Sequence, residues 1–192
     1  MVRLNKKTAE DSKYALGLER FLDRSFAKDT TMMMKKVPLR IQVYAPFREY
    51  DSVERRHPAL EVLMKHAERW EYLKMDSAYR TFRCLESVKD KLAVSLKYLH
   101  VELWRYPTGE PLDVFGSAVK LEEVTVKGLM PQDMALPWGN LRVYTEKVMG
   151  HGGLGNILEQ AKLLTRLDVT RSTDLILASP LELPNLETLY LR

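Results

Sequence analysis

Leu96-Lys97-Tyr98-Leu99-His100-Val101 reads L-x-x-L-x-V, and the chain repeats this pattern. It returns as Leu121-Glu122-Glu123-Val124-Thr125-Val126, as Leu164-Thr165-Arg166-Leu167-Asp168-Val169 and as Leu186-Glu187-Thr188-Leu189-Tyr190-Leu191. Weaker copies are Trp70-Glu71-Tyr72-Leu73-Lys74-Met75 and Leu141-Arg142-Val143-Tyr144-Thr145-Glu146, the latter with a carboxyl in its last apolar slot. A divergent first copy lies in Pro38-Leu39-Arg40-Ile41-Gln42-Val43. Within each copy the core alternates, so a strand built on it points its apolar side chains one way and the others toward solvent.

The spacing converts the pattern into a fold class. The second apolar position falls at 41, 73, 99, 124, 144, 167 and 189, at intervals of 32, 26, 25, 20, 23 and 22 residues. All but the first interval lie in the roughly 20–29-residue range of leucine-rich repeats, where one unit is a strand plus a helix or turn. A single unit cannot bury its apolar face, whereas stacked neighbours share a continuous core. The expected fold is therefore α/β, a leucine-rich-repeat-like solenoid of about seven degenerate repeats with a curved parallel sheet inside and helices outside. Residues 37–192 form that domain, after a helical lead-in over 1–36. The alternative is an ordinary α/β domain with unrelated strands.

The segments between the copies fit this scheme. Residues 13–27 place Leu16, Phe21, Leu22 and Phe26 near a helical period. Pro58 opens a helix at a first-turn position, where its missing N–H is harmless, and Leu60, Leu63, Met64 and Ala67 give it an apolar face. Phe82, Leu85, Val88 and Leu92 predict a helix over 80–94, Leu112 to Val119 a shorter one, and Leu154 to Lys162 another. Helices that each feed a strand imply parallel strands.

Composition bounds the function. With 192 residues, 45% apolar and 29% charged, the chain has the make-up of one globular domain. Cys84 is the only cysteine, which excludes an internal disulfide and a cysteine metal cluster and favours a reducing compartment, cytoplasmic or nuclear. No apolar run reaches the roughly 20 residues of a membrane span, and Met1 to Lys13 has no apolar signal-peptide core. Residues 1–100 carry 21 Lys/Arg against 14 Asp/Glu, and residues 101–192 carry 9 against 12. The positives run no longer than Lys6-Lys7, Lys35-Lys36 and Arg55-Arg56, with acids among them, so a solvated face is expected rather than a nucleic-acid site.

At this point the order of motifs resembles the repeat region of F-box-type proteins of basidiomycete fungi. The matching stretches begin with Leu18-Glu19-Arg20-Phe21-Leu22-Asp23-Arg24-Ser25, Pro38-Leu39-Arg40-Ile41 and His66-Ala67-Glu68-Arg69-Trp70-Glu71-Tyr72-Leu73. They continue with Leu112-Asp113-Val114-Phe115, Leu136-Pro137-Trp138-Gly139-Asn140-Leu141 and Leu183-Pro184-Asn185-Leu186-Glu187-Thr188-Leu189. The resemblance implies a substrate-recognition module of a cullin–RING ubiquitin ligase adaptor. The chain departs from the family in three ways. The residues before Pro38 do not read as an F-box. The asparagine expected just beyond each strand is replaced by Leu103-Trp104, Gly128-Leu129 and Arg171-Ser172. The sequence stops at Arg192 within or just after a strand, so a shortened chain is expected; without F-box helices it is expected not to join the ligase by itself.

Candidate chemistry is sparse. Gly150-His151-Gly152-Gly153-Leu154-Gly155 matches G-x-G-x-x-G, with Asp174 at about the distance of a ribose-binding acid. The preceding Tyr144-Thr145-Glu146-Lys147 is too polar for a strand buried on both faces, and Asp174 falls beyond the following strand. A turn between repeats is therefore expected there, with a small nucleotide-binding enzyme, or a gene fragment without function, as the alternatives. His57, His66, His100 and His151 show no metal-ligand spacing, and no Ser sits in G-x-S-x-G. Cys84, beside Leu85, reads as a buried structural thiol. Met32-Met33-Met34 reads as linker or core filler. The chain is thus expected to be non-enzymatic, without cofactor or metal. What remains is the outward side of the strands, expected to bind a protein on the concave sheet through Tyr72, Tyr98, Glu123, Arg166 and Thr188 in one column with Val143 between them. Lys74, His100, Thr125, Asp168 and Tyr190 form the next column, with Thr145 between them.

Overall fold

The computed structural model describes residues 1–5, 11–24, 37–45, 58–103, 110–148, 154, 158–171 and 182–192. Eight strands follow in chain order: β1 Val2–Asn5, β2 Leu39–Ala45, β3 Trp70–Ser77, β4 Tyr98–Leu103, β5 Glu123–Lys127, β6 Val143–Val148, β7 Arg166–Arg171 and β8 Thr188–Leu191. They form one open sheet whose spatial order is the sequence order, and every neighbouring pair is parallel. Between them lie α1 Ser12–Arg24, α2 Pro58–Lys65, α3 Tyr79–Arg83 and α4 Lys89–Leu92, with single 3₁₀ turns elsewhere. No helix among the described residues is long and apolar enough to cross a membrane.

The L-x-x-L-x-V slots build the core. Ile41, Leu73, Leu99, Val124, Tyr144 and Leu167 lie side by side in register, and all are buried. Val43, Met75, Val101, Val126, Glu146 and Val169 form the next buried row. The leading residues Leu96, Leu121, Leu141 and Leu164 are fully enclosed beneath the incoming turns. Along β4 burial alternates from Tyr98 to Leu103, so one face of the sheet is packed and the other is open. A parallel sheet with a single covered face is the arrangement of stacked repeats rather than of doubly wound folds. A one-residue slip would turn each row to the open side, at about 1.5–3 kcal/mol per large apolar side chain.

Neighbouring repeats are also joined through their backbones. The carbonyl of Lys97 accepts from the N–H groups of Glu122 and Glu123, and that of Glu122 accepts from Arg142 and Val143. Arg142 and Thr165 repeat the arrangement with the next two units. Polar residues just before the leading leucine add a side-chain staple to the preceding unit. Asn140 Nδ2 donates to the Val119 carbonyl at 3.0 Å, Asn185 Nδ2 to the Lys162 carbonyl at 2.7 Å, and Ser95 Oγ to the Trp70 carbonyl at 3.1 Å. The side-chain ladder that the sequence lacks after the strands is thus built before them.

Several expectations are corrected. The lead-in over 1–36 contains β1 as well as a helix, and β1 pairs with β2 as a further strand. On α1 the buried residues are Ala15, Leu18 and Leu22, while Leu16 and Phe21 are exposed; Phe26 lies outside the described residues. Leu112 to Val119 is not a helix: it consists of turns and a single parallel bridge from Leu112 to Met134. There Gly116 approaches so closely that a Cβ would stand 2.9 Å from Asp113 Oδ1. Cys84 is exposed, because it lies off the buried stripe of Phe82, Leu85, Val88 and Leu92. Leu154 and Leu158 have helical backbone and are buried, while 155–157 lie outside the described residues.

Candidate functional site

The open face is a grid set by the strand register. Arg40, Tyr72, Tyr98, Glu123, Val143, Arg166 and Thr188 are successive partners in one column. Arg3, Gln42, Lys74, His100, Thr125, Thr145, Asp168 and Tyr190 form the second. All ten side chains expected to meet a partner therefore fall in two adjacent columns. Arg3, Arg40 and Gln42 extend those columns over β1 and β2. A third column runs Asn5, Tyr44, Asp76, Glu102, Lys127, Lys147 and Thr170. Its signal was present as the residue after each third apolar slot.

Cations and rings interleave at the β2–β3 end. The Arg40 guanidinium lies 4.8 Å from the centre of the Tyr72 ring, and Lys74 Nζ lies 5.6 Å from that of Tyr44. Farther along, Arg166 stands 5.5 Å from the Tyr190 ring. Asp168 departs from the expected exposure. It is buried, Arg166 approaches its Oδ2 at 3.9 Å, and its Oδ1 has no hydrogen-bond partner among the described residues.

At the centre of the face Lys127 Nζ donates to Glu102 Oε2 at 3.0 Å, and His100 Nε2 lies 3.8 Å from the same oxygen. That second distance is too long for a hydrogen bond, and His100 Nε2 is buried without one among the described residues. Burial, then the charges of Lys74 and Lys127, push the imidazole pKa down. Burial pushes the Glu102 carboxyl up, but the hydrogen bond and charge of Lys127 outweigh it and hold the group below its ordinary value. His100 is thus favoured as a neutral ring, able to donate or accept one hydrogen bond.

These columns enclose a groove of about 530 Å³ across β2 to β6, lined by Arg40, Tyr72, Tyr98, His100, Glu123 and Thr125 among others. No protein family, curated protein or solved structure matches the chain. The chemistry must therefore be read from the groove itself. It offers the Arg40 guanidinium on β2, the carboxylates of Glu71 and Glu123, the phenol rings of Tyr72 and Tyr98, and the hydroxyl of Thr125.

Other candidates add little. Of the glycine-rich segment 150–155 only Leu154 is described, and it is buried. Asp174, Met32 to Met34 and the pairs Lys6-Lys7, Lys35-Lys36 and Arg55-Arg56 also lie outside the described residues. Among the described residues no group of three or more His, Cys, Asp or Glu side chains is placed to hold a metal ion. Although Cys84 is exposed, partial desolvation by its neighbours raises the thiol pKa, which lowers its thiolate fraction.

Proposed function

We propose that the chain is a non-enzymatic interaction module that docks a protein partner on the open face of its sheet. The observation that carries this reading is the contrast between the two faces of the sheet: aromatic and charged columns on one side and a closed core on the other. Tyrosine and arginine are the residues in which interface energy concentrates, and three of the tyrosines here have a cation over the ring. The sequential parallel order and the repeat spacing support the finer description, a leucine-rich-repeat-like solenoid whose open face is the concave one. By the sequence resemblance to fungal F-box proteins, the docked protein would be a substrate presented to a ubiquitin ligase, in the cytoplasm or nucleus.

A photo-crosslinking amino acid tests the assignment. Placed at Tyr98 on the open face, it should give adducts with a cellular protein. Placed at Asp90, exposed on α4, it should give none. Adducts from position 90 alone, or from neither position, would sink the reading.

A further inference from the structure

We propose that the groove across β2 to β6 takes an extended segment of the partner carrying an acidic and a basic side chain about four residues apart. This rests on the reading of the open face as a docking surface and specifies what docks there. The argument starts from the two ends of the groove. Arg40 belongs to β2 and Glu123 to β5, both in the first column and both exposed. Among the described residues the Glu123 carboxylate makes no ion pair or hydrogen bond, and the Arg40 guanidinium lies against the ring of Tyr72 without an ion pair. With Glu71 held in an ion pair by Lys97 at 2.9 Å, the groove presents a cation on β2 and an unpaired carboxylate on β5 among the described residues, and a partner of either single sign meets repulsion at one of them.

The spacing follows from the sheet. Three strand steps of about 4.8 Å separate the two columnar positions, roughly 14 Å in all. An extended chain rises about 3.3 Å per residue, so a segment crossing the strands spans that distance in about four residues. A helix would need about nine residues for the same span.

The floor favours the extended form. His100 and Thr125 line the groove as half-buried polar side chains. Peptide N–H and C=O groups of an extended segment are free to pair with polar side chains along the floor, whereas those of a helix are already paired within the helix. Tyr72 and Tyr98, adjacent in the register, lie beneath the middle of the segment and suit β-branched or apolar side chains there. Nucleic acid fits less well, because Glu123 and Glu71 also line the groove and would repel phosphates.

Selection of a displayed library of short random peptides on the full chain tests the proposal. Enriched peptides should pair an acid with a base about four positions apart. Glu123→Lys should shift the enrichment to two acids at that spacing, and Arg40→Glu should shift it to two bases. Each exchange should weaken the original peptides by about tenfold. Both sites are exposed, and an unchanged circular dichroism spectrum shows that the variants fold. The same peptides selected by parent and variants, or enrichment without the paired spacing, would overturn the proposal. So would binding of oligothymidine that Glu123→Lys strengthens. If no peptide is enriched while the photo-crosslinker at position 98 still captures a protein, the extended segment is wrong and the docking face stands. If both fail, the docking face falls too.

Discussion

Glu146 occupies an apolar slot and is fully buried, so its neighbour Tyr144 should carry a measurable share of the stability of β6. The Tyr144 hydroxyl donates to Glu146 Oε2 at 3.0 Å, and its ring meets Trp138 edge-on with centroids 4.9 Å apart. Tyr144→Phe keeps the ring and removes one donor from a buried carboxyl, which should cost about 1–3 kcal/mol. Glu146→Met supplies the kind of side chain that Met75 contributes to the same row but leaves the phenol without that acceptor, at a similar cost. The double variant removes both members of the pair, so its loss should fall short of the sum of the two single losses. The coupling energy should then be about 1–3 kcal/mol. Urea unfolding followed by circular dichroism reads this directly, since a loss of about 2 kcal/mol moves the midpoint by about 1 M at a slope near 2 kcal/mol/M. If the double variant loses the sum of the two single losses, the pair is uncoupled and the reasoning is wrong.

Four further outcomes are expected. Gly128 has φ 76° and a Cβ there would stand 2.2 Å from the Leu103 carbonyl oxygen, so Gly128→Ala should cost about 2–4 kcal/mol in the same assay. Asn140→Ala removes the staple to the Val119 carbonyl and should cost about 0.5–1.5 kcal/mol. His100 has its pKa lowered on folding, so the unfolded chain binds the proton more readily and stability should fall as pH drops below about 6.5. His100→Gln should flatten that fall, and an unchanged slope would assign it to other groups. Leu189 and Leu191 are 51% and 54% exposed in slots that other strands bury, and β8 pairs only with β7 among the described residues. The isolated chain should therefore self-associate through 183–192, and Thr188→Lys with Tyr190→Lys should suppress it in light scattering.

The strand register was legible because it depends on a period of two repeated many times. The second apolar positions from Ile41 to Leu189 are direct neighbours in the sheet, and the columns between them follow without further information. What failed was local. β1 offers only Val2 and Leu4 as apolar slots and has no leading leucine, so nothing in four residues separates it from a polar terminus. Leu112, Phe115 and Ala118 have helical spacing and are all buried, yet turns bury them equally well once Gly116 and the bridge to Met134 fix the backbone. Spacing reports which side chains go inward, and two backbones can satisfy one spacing.

The candidate site was legible as an address but not as a shape. That Tyr72, Tyr98 and Glu123 share a column follows from alternation alone, whereas the groove depends on what stands beside them. Arg40 came from a copy too divergent for its outward residue to be placed in the columns, yet its guanidinium covers Tyr72 and supplies one charged end. Asp168 has the same sequence position as His100, yet it is buried more deeply than His100. Repetition equalises backbone positions, so differences in function must come from side-chain identity at equivalent slots. Along the first column that identity changes from a cation at β2 through two phenols to a carboxylate at β5, and a partner able to read this order needs opposite charges of its own at matching separation.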